Sequence, residues 1–475
     1  MTITISPTIW QDEVQIVDLG RSVVAPDPTW SLNWTAKQRP VAFVNYLGPI
    51  LQERAYRWLA PSNVGPRLST LLGALVAGYF TFLWLRSRRV RIVPALVLAV
   101  TLFLDPIFVQ GYRGGRVDCF VIALVMAACV VLRRRQITSV DSGGVSRCWA
   151  VLGGLLVVAC FVWPSGIFLL PLVAAEGILV CAPLRVPKRT MLRWCLAFAA
   201  GGLISLALCL VPVWNQLPSL AADALVSKQA NSDSGSPWTY FPASVLNLVL
   251  SYEQSPCLPI AAVAAAFNRR NRVLAISAAV ATISILPTHV YVHRVVYLLP
   301  YLIGLIGEGW RVAAVSWLRS WGAAVMAIAV VWAGGISLVA RPALALAARH
   351  ARSPELLVEA AARLPELRFQ RIYLEPWEFY YVGRQFGWRM VRPYGYIGSD
   401  AEAAMFADLD YALVNEGEST NRREFFAALG WHLIDQFTLP SAQAAFLSRV
   451  PTKPRRYELY SHWPHKVPTA IRPPP

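Results

Sequence analysis

The residues best suited to chemistry lie in three polar stretches of an otherwise apolar chain. Near the start, Trp10-Gln11-Asp12-Glu13 places two adjacent carboxylates behind an indole. A carboxylate that faces a cavity can act as general base toward a hydroxyl or an amine. Further on, Gln110-Gly111-Tyr112-Arg113-Gly114-Gly115-Arg116-Val117-Asp118 brings two arginines, an acid and paired glycines to the head of an apolar run. A third stretch, Thr288-His289-Val290-Tyr291-Val292-His293-Arg294, does the same with two histidines and an arginine. Arginine suits the gripping of phosphate, because its planar fork makes bidentate, charge-assisted hydrogen bonds. Gly114 and Gly115 would let backbone approach such a group closely.

Each stretch also has a plainer reading. An Asp-Glu pair in a surface segment is most often only solvated. Arg113 and Arg116 read equally well as anchors to lipid headgroups, and Arg116 and Asp118 as an ion pair closed on itself at a helix start. His293 as a donor to a carbonyl outweighs His293 as a metal ligand. His289 and His293 have a spacing that ligates zinc on a helix, but they lie in a loop with no third ligand nearby. What favours the functional reading is that all these groups fall on one side of a membrane.

That membrane is read from composition. The 475 residues are 56% hydrophobic and 15% charged, and the mean hydropathy is +0.46. A soluble chain would carry about a quarter charged residues. Apolar runs near the roughly 20 residues that cross a bilayer recur at 68–85, 92–109, 119–132, 192–213, 242–267, 273–286, 295–307 and 321–340. The run 149–182 is too long for one crossing and is broken by Trp163-Pro164-Ser165-Gly166 into two. The chain therefore reads as a polytopic α-helical membrane protein of about ten spans. Residues 1–67 form a leading segment with the acid pair, in which 43–59 suits interfacial amphipathic helices. Residues 68–340 form the transmembrane domain, and 341–475 a small α/β domain with a Pro-rich, disordered end.

Sidedness follows from the basic loops at 86–91, 133–135, 185–193, 269–272 and 311–319, which belong in the cytoplasm. The outer face then collects Asp12 and Glu13, the segment 110–118, the turn at Pro164, the loop 214–241, the segment 288–294 and the tail. The net charge of +17 is thus topological; no nucleic-acid motif accompanies it, and no nucleic-acid partner is expected. The eight cysteines show no metal spacing and lie mostly in apolar runs, as small packing residues. An exported acid pair with no span before it implies either that the short N-terminal segment is translocated as a tail or that the chain begins upstream of Met1 with one more span. In the tail, strand character at 371–375, 388–392, 409–414, 431–437 and 456–462 alternates with helices at 376–387 and 422–429. No glycine-rich phosphate loop is present there.

Taken in order, the motifs resemble the GT-C glycosyltransferases, in particular the bacterial relatives of dolichyl-phosphate-mannose protein mannosyltransferases and of the lipid A aminoarabinose transferase. The resemblance rests on Trp10-Gln11-Asp12-Glu13, on Gly115-Arg116-Val117-Asp118, on Trp163-Pro164-Ser165-Gly166, on His293-Arg294-Val295-Val296-Tyr297-Leu298-Leu299-Pro300, and on Tyr380-Tyr381-Val382-Gly383-Arg384-Gln385-Phe386-Gly387-Trp388 in the tail. It implies a multi-pass protein of the bacterial cytoplasmic membrane with an active site on the outer, periplasmic face and an extracytoplasmic tail. It implies an inverting hexosyl or pentosyl transfer from a polyprenyl-phosphate-linked sugar to an envelope glycan, lipid or protein. By resemblance Asp12 is the base or acceptor-positioning carboxylate, and Glu13 supports it or touches a divalent cation, the one cofactor left open. Arg113, Arg116, His293 and Arg294 are candidates for the donor phosphate, and Asp118 supports them. The competing class is a transporter or flippase for a lipid-linked or anionic substrate, which calls for internal repeats and broken, ionisable helices at mid-membrane. A scaffold that binds partners through its tail would leave the membrane charges unexplained.

Overall fold

The computed structural model describes residues 3–5, 8–9, 11–24, 46–134, 143–182, 187–216, 241–288, 292–312, 316–391, 406–416, 420–441 and 454–463. His289 lies outside them, as do most of the loop 214–241 and the Pro-rich end. The chain forms two compact units: Met1–Ala42 with Pro49–Arg67 and Arg341–Pro475, and Phe43–Gly48 with Leu68–Ala340.

The first unit is built on a five-stranded sheet: β1 (Arg371–Leu374), β2 (Arg389–Val391), β3 (Tyr411–Asn415), β4 (His432–Leu439) and β5 (Arg455–Ser461). The strand order is β2-β1-β3-β5-β4. β1 runs parallel to β2 and β3, and β5 antiparallel to β3 and β4. The strands fall where alternation in the tail places them. Side chains on successive residues point to opposite faces, so one strand feeds two cores. Ile372, Leu374 and Leu413 pack on one face with Val14, Val17, Leu357 and Phe379. Tyr373, Ala412 and Val414 pack on the other with Phe406, Phe426 and Trp431.

One helix of this unit was not foreseen. Residues 11–24 carry no long apolar run, yet α1 spans Gln11–Val24. Its buried face takes both Val14 and Val17 and the charged Glu13, Asp18 and Arg21. Charges buried by partners, not by apolar periodicity, made the helix hard to read. α2 (Leu47–Trp58) follows. A Cβ on Gly20 would lie 2.0 Å from the Pro49 carbonyl oxygen, so α1 and α2 touch backbone to backbone there.

The second unit is helical. Among the described residues, Val64–Ser87, Val145–Val162, Pro164–Cys181, Lys188–Trp214 and Ala324–Ala347 are long and apolar enough to cross a membrane. A sixth span exists if α4 (Ile92–Leu104) and α5 (Pro106–Arg113) count as one, bent by 55°. The other crossings read from the sequence are shorter helices. Arg272–Ile285 and Leu299–Val312 have 14 residues each, about 21 Å of helix against a hydrocarbon core of about 30 Å. Large apolar side chains such as Leu72, Leu203, Leu208 and Val331 stay 63–73% exposed, as lipid-facing positions do.

The apolar run read at 92–109 is bent where α4 meets α5. Pro106 occupies the first turn of α5, where a missing N–H costs nothing. Asp105 caps that turn by accepting from the Ile107 N–H at 2.9 Å. Helix α5 then extends into the segment expected to be a polar loop, as far as Arg113.

We label α3 (Val64–Ser87), α6 (Asp118–Arg134), α7 (Gly143–Val162), α8 (Leu170–Cys181) and α9 (Lys188–Leu210). α7 and α9 pack through glycines. A Cβ on Gly201 would stand 1.9 Å from the Ala150 carbonyl oxygen, and one on Gly153 2.1 Å from that of Phe198. Small residues are how helices approach closely in lipid, where burial of apolar area gives little drive. Gly201→Val should therefore force the pair apart, at about 1–3 kcal/mol or more, and lower the unfolding midpoint in detergent. Gly177 has only the tip of Trp149 within 3.9 Å, so Gly177→Ala should leave the midpoint unchanged. Equal midpoints for the two variants would refute this packing.

Candidate functional site

The sequence motifs fall into two groups, one in each unit. In the first unit, Trp10 lies outside the described residues, and Asp12 and Glu13 sit in the first turn of α1, where the helix dipole favours acids. Asp12 is partly buried. Glu13 is fully buried and binds Arg67 through both oxygens, at 2.7 Å to Nη2 and 3.0 Å to Nε. The Arg67 Nη1 donates to the Ile3 carbonyl at 2.7 Å. Burial pushes the Glu13 carboxyl above its usual range, against the pull of Arg67.

The tail motif meets this turn. The Tyr381 hydroxyl donates to Glu13 at 3.4 Å and that of Tyr380 to Asp18 at 3.1 Å. Asp18 also holds the Arg21 Nε at 2.8 Å. Arg384 makes a fork on Glu53, at 2.7 and 3.0 Å, and lies 4.1 Å over the Tyr56 ring. Arg57 adds a further contact to Glu53 at 2.6 Å. Burial raises the phenols of Tyr380 and Tyr381 well above their usual range, so both remain O–H donors at neutral pH. The chain thus joins its first motif to its last through three paired carboxylates.

In the second unit the remaining three motifs meet. Arg116 pairs with Asp118, Nε to Oδ2 at 2.6 Å, and both side chains are buried. The Tyr297 hydroxyl donates to Asp118 Oδ1 at 2.5 Å. Tyr297 packs edge-on against Phe168, centroids 6.2 Å apart. The Tyr301 hydroxyl, one turn on, donates to the Phe168 carbonyl at 2.7 Å and accepts from the Leu172 N–H at 3.0 Å. Phe168 belongs to the 3-10 segment Pro164–Leu169 that follows Trp163.

The paired glycines close a helix. Gly115 has φ +69°, and the Arg116 N–H donates to the Gly111 carbonyl at 3.1 Å. This closes α5 with a left-handed residue, which glycine adopts without the Cβ penalty. The chain then turns directly into α6, with Asp118 in its first turn. Arg113 and Arg294 are partly buried near the ends of their helices, and His293 lies in the short helix Val292–Val295, where only its backbone is described.

The sequence reading did not single out Arg67, Glu53 or Asp105. Asp105 is fully buried and accepts from the Ser255 hydroxyl at 2.5 Å; an acid before a proline inside an apolar run was the available signal. Among the described residues no three His, Cys, Asp or Glu side chains gather as metal ligands. With both Glu13 oxygens on Arg67, the residues present do not fit a cation at Glu13.

Because Glu13 and Arg67 are both 0% exposed, removing one partner strands the other. Glu13→Ala and Arg67→Met should each cost about 3–5 kcal/mol of stability, and the double variant less than their sum. Thermal unfolding of the purified chain gives the comparison. Additive losses would mean that the pair is not coupled.

No protein-family model and no curated protein matches this sequence. Two solved structures match by fold. ArnT from Cupriavidus metallidurans bound to undecaprenyl phosphate aligns with a TM-score of 0.58 at 13% identity, covering 98% of this chain and 95% of that one. The same protein in the apo state aligns at 0.55 with 14% identity, covering 97% and 95%. At such identity the likeness is one of fold, and it runs through both units: the chain has the fold of ArnT.

Proposed function

We propose that this chain is a membrane glycosyltransferase that draws its sugar from a polyprenyl-phosphate donor and acts on the outer face of the bacterial cytoplasmic membrane. The observation that carries the reading is the fold match over 98% of the chain to ArnT bound to undecaprenyl phosphate. Its motifs also come together as side-chain clusters, two within one unit and three within the other.

In this reading an acceptor hydroxyl or amine attacks the anomeric carbon of the sugar. The new glycosidic bond forms as the bond to the phosphate oxygen breaks. Polyprenyl phosphate leaves with the electron pair, the configuration inverts, and the acceptor proton passes to Asp12. Glu13 is a positioning residue: its fork on Arg67 fixes the turn that carries Asp12. Arg113, Arg294 and His293 take the donor phosphate. Arg116 orients that region through Asp118 and Tyr297 instead of gripping phosphate itself. The acceptor is an envelope glycan, lipid or protein.

One observation favours transport instead. The break between α4 and α5 places a buried acid, Asp105, inside a bent apolar segment, as in transporters with discontinuous helices. The deciding experiment is sugar transfer by the purified chain in detergent, over a panel of polyprenyl-phosphate sugars and acceptors. Wild type should form the glycosidic bond, and Asp12→Asn should lose about 10²–10⁴-fold in rate with donor binding retained. Arg113→Ala and Arg294→Ala should raise the KM for donor, with Lys restoring only part of it because the fork is lost. Equal rates for wild type and Asp12→Asn would remove Asp12 from the mechanism, and no bond formation across the panel would turn the reading to transport.

A further inference from the structure

The helical unit holds a charged cavity, which the transferase reading does not use. It measures about 240 Å³ and is lined by Arg88, Arg89, Arg133, Arg270, Glu308 and Arg311. These residues sit where helices end: just past α3, in the last turn of α6, in the turn Arg269–Asn271, and near the end of Leu299–Val312. Helix α6 runs from Asp118 to Arg134, so the cavity lies about 25 Å along it from the Arg116–Asp118 pair.

The charges there do not balance. Glu176 accepts short hydrogen bonds from Arg88 and Arg133. Glu308 accepts from the Arg311 Nε at 3.0 Å and lies 3.4 Å from Arg88. Two carboxylates thus serve three guanidiniums, and among the described residues neither Arg89 nor Arg270 has a carboxylate partner. The Arg88 side chain is 3% exposed, yet its Nε has no hydrogen-bond partner among the described residues.

Arg89 adds an independent sign. Its φ is 65°, and the Val90 N–H donates to the Leu85 carbonyl at 3.1 Å. This is the same helix closure that Gly115 makes on α5, but with an arginine in the left-handed position. A non-glycine residue there is strained, because its Cβ crowds the following carbonyl oxygen. Arginines at helix C-termini also offset the dipole and set topology, which accounts for Arg133 and Arg311. Neither role calls for a cavity, or for an arginine where glycine would be unstrained.

We propose that this cavity binds a phosphate group, supplied either by the headgroup of an anionic membrane lipid or by a soluble phosphate. Unpaired guanidiniums converging at the end of apolar helices suit a phosphodiester at membrane level. The proposal is independent of the glycosyltransferase reading, and its test needs no activity.

The purified full chain, in neutral detergent, is titrated separately with phosphatidylglycerol, phosphatidylcholine and inorganic phosphate. Native mass spectrometry reads bound lipid, and thermal unfolding reads stabilisation. Wild type should hold phosphatidylglycerol at least tenfold more tightly than phosphatidylcholine. Arg89→Gly combined with Arg270→Gln should erase that preference. Arg89→Gly alone should unfold at the same or a higher temperature than wild type without ligand, which separates lost binding from lost folding. If inorganic phosphate raises the wild-type midpoint but not that of the double variant, with no preference among lipids, the site is one for soluble phosphate. No response to either anion, or equal responses in wild type and the double variant, overturns the proposal.

Discussion

Every acid buried in this protein has to be paired, and the pairing decides which parts of the chain meet. An ion without a partner in a low-dielectric interior costs several kcal/mol even after relaxation. Asp118 answers this with Arg116 beside it and with Tyr297, 179 positions away. Glu176 takes Arg88, 88 positions away. Glu13 takes Arg67 at a separation of 54, and Glu53 takes Arg384 at 331. Apolar packing tolerates sliding by a turn, because one leucine contact resembles another. A fork between a guanidinium and a carboxylate does not slide, so a few such pairs set the register for whole helices.

The two units meet that constraint in different ways. In the first, the sheet supplies an aromatic core on both faces, and the charged network lies along the buried side of α1 and the adjacent α2. Apolar burial is the main drive in such a core, with the ion pairs fixing geometry. In the second, the outward surface is leucine and valine. There the helices are held by close approach at Gly153 and Gly201 and by hydrogen bonds that tyrosines make to backbone and to Asp118. Tyr297 and Tyr301 lie one helical turn apart and serve two different motifs, which makes that short segment the hinge pin of the unit's polar interior.

This arrangement separates residues that look alike in sequence. Asp12 and Glu13 are neighbours of the same chemistry, but helical geometry turns them about 100° apart. One is fully buried on Arg67, and the other is only partly buried. Arg116 and Arg113 are separated in the same way: the first is committed to Asp118, while the second stays at the end of α5. Gly115 and Arg89 close helices by the same hydrogen-bond pattern, yet only one of them does so without strain.

The sequence by itself determined the solvent, the class and the secondary structure of the tail. Long apolar runs and a low charge content require lipid, and the strand alternation from 371 onward requires a sheet, because both are local patterns set by one side chain after another. The five motifs were legible for the same reason. What only the tertiary structure decided was their grouping, the helix at Gln11–Val24, the bend at Asp105-Pro106 and the left-handed turn at Gly115. Each depends on a partner far away in the chain or on a backbone angle. Glu13 has both its oxygens on Arg67, and no spacing in the sequence carries that distance.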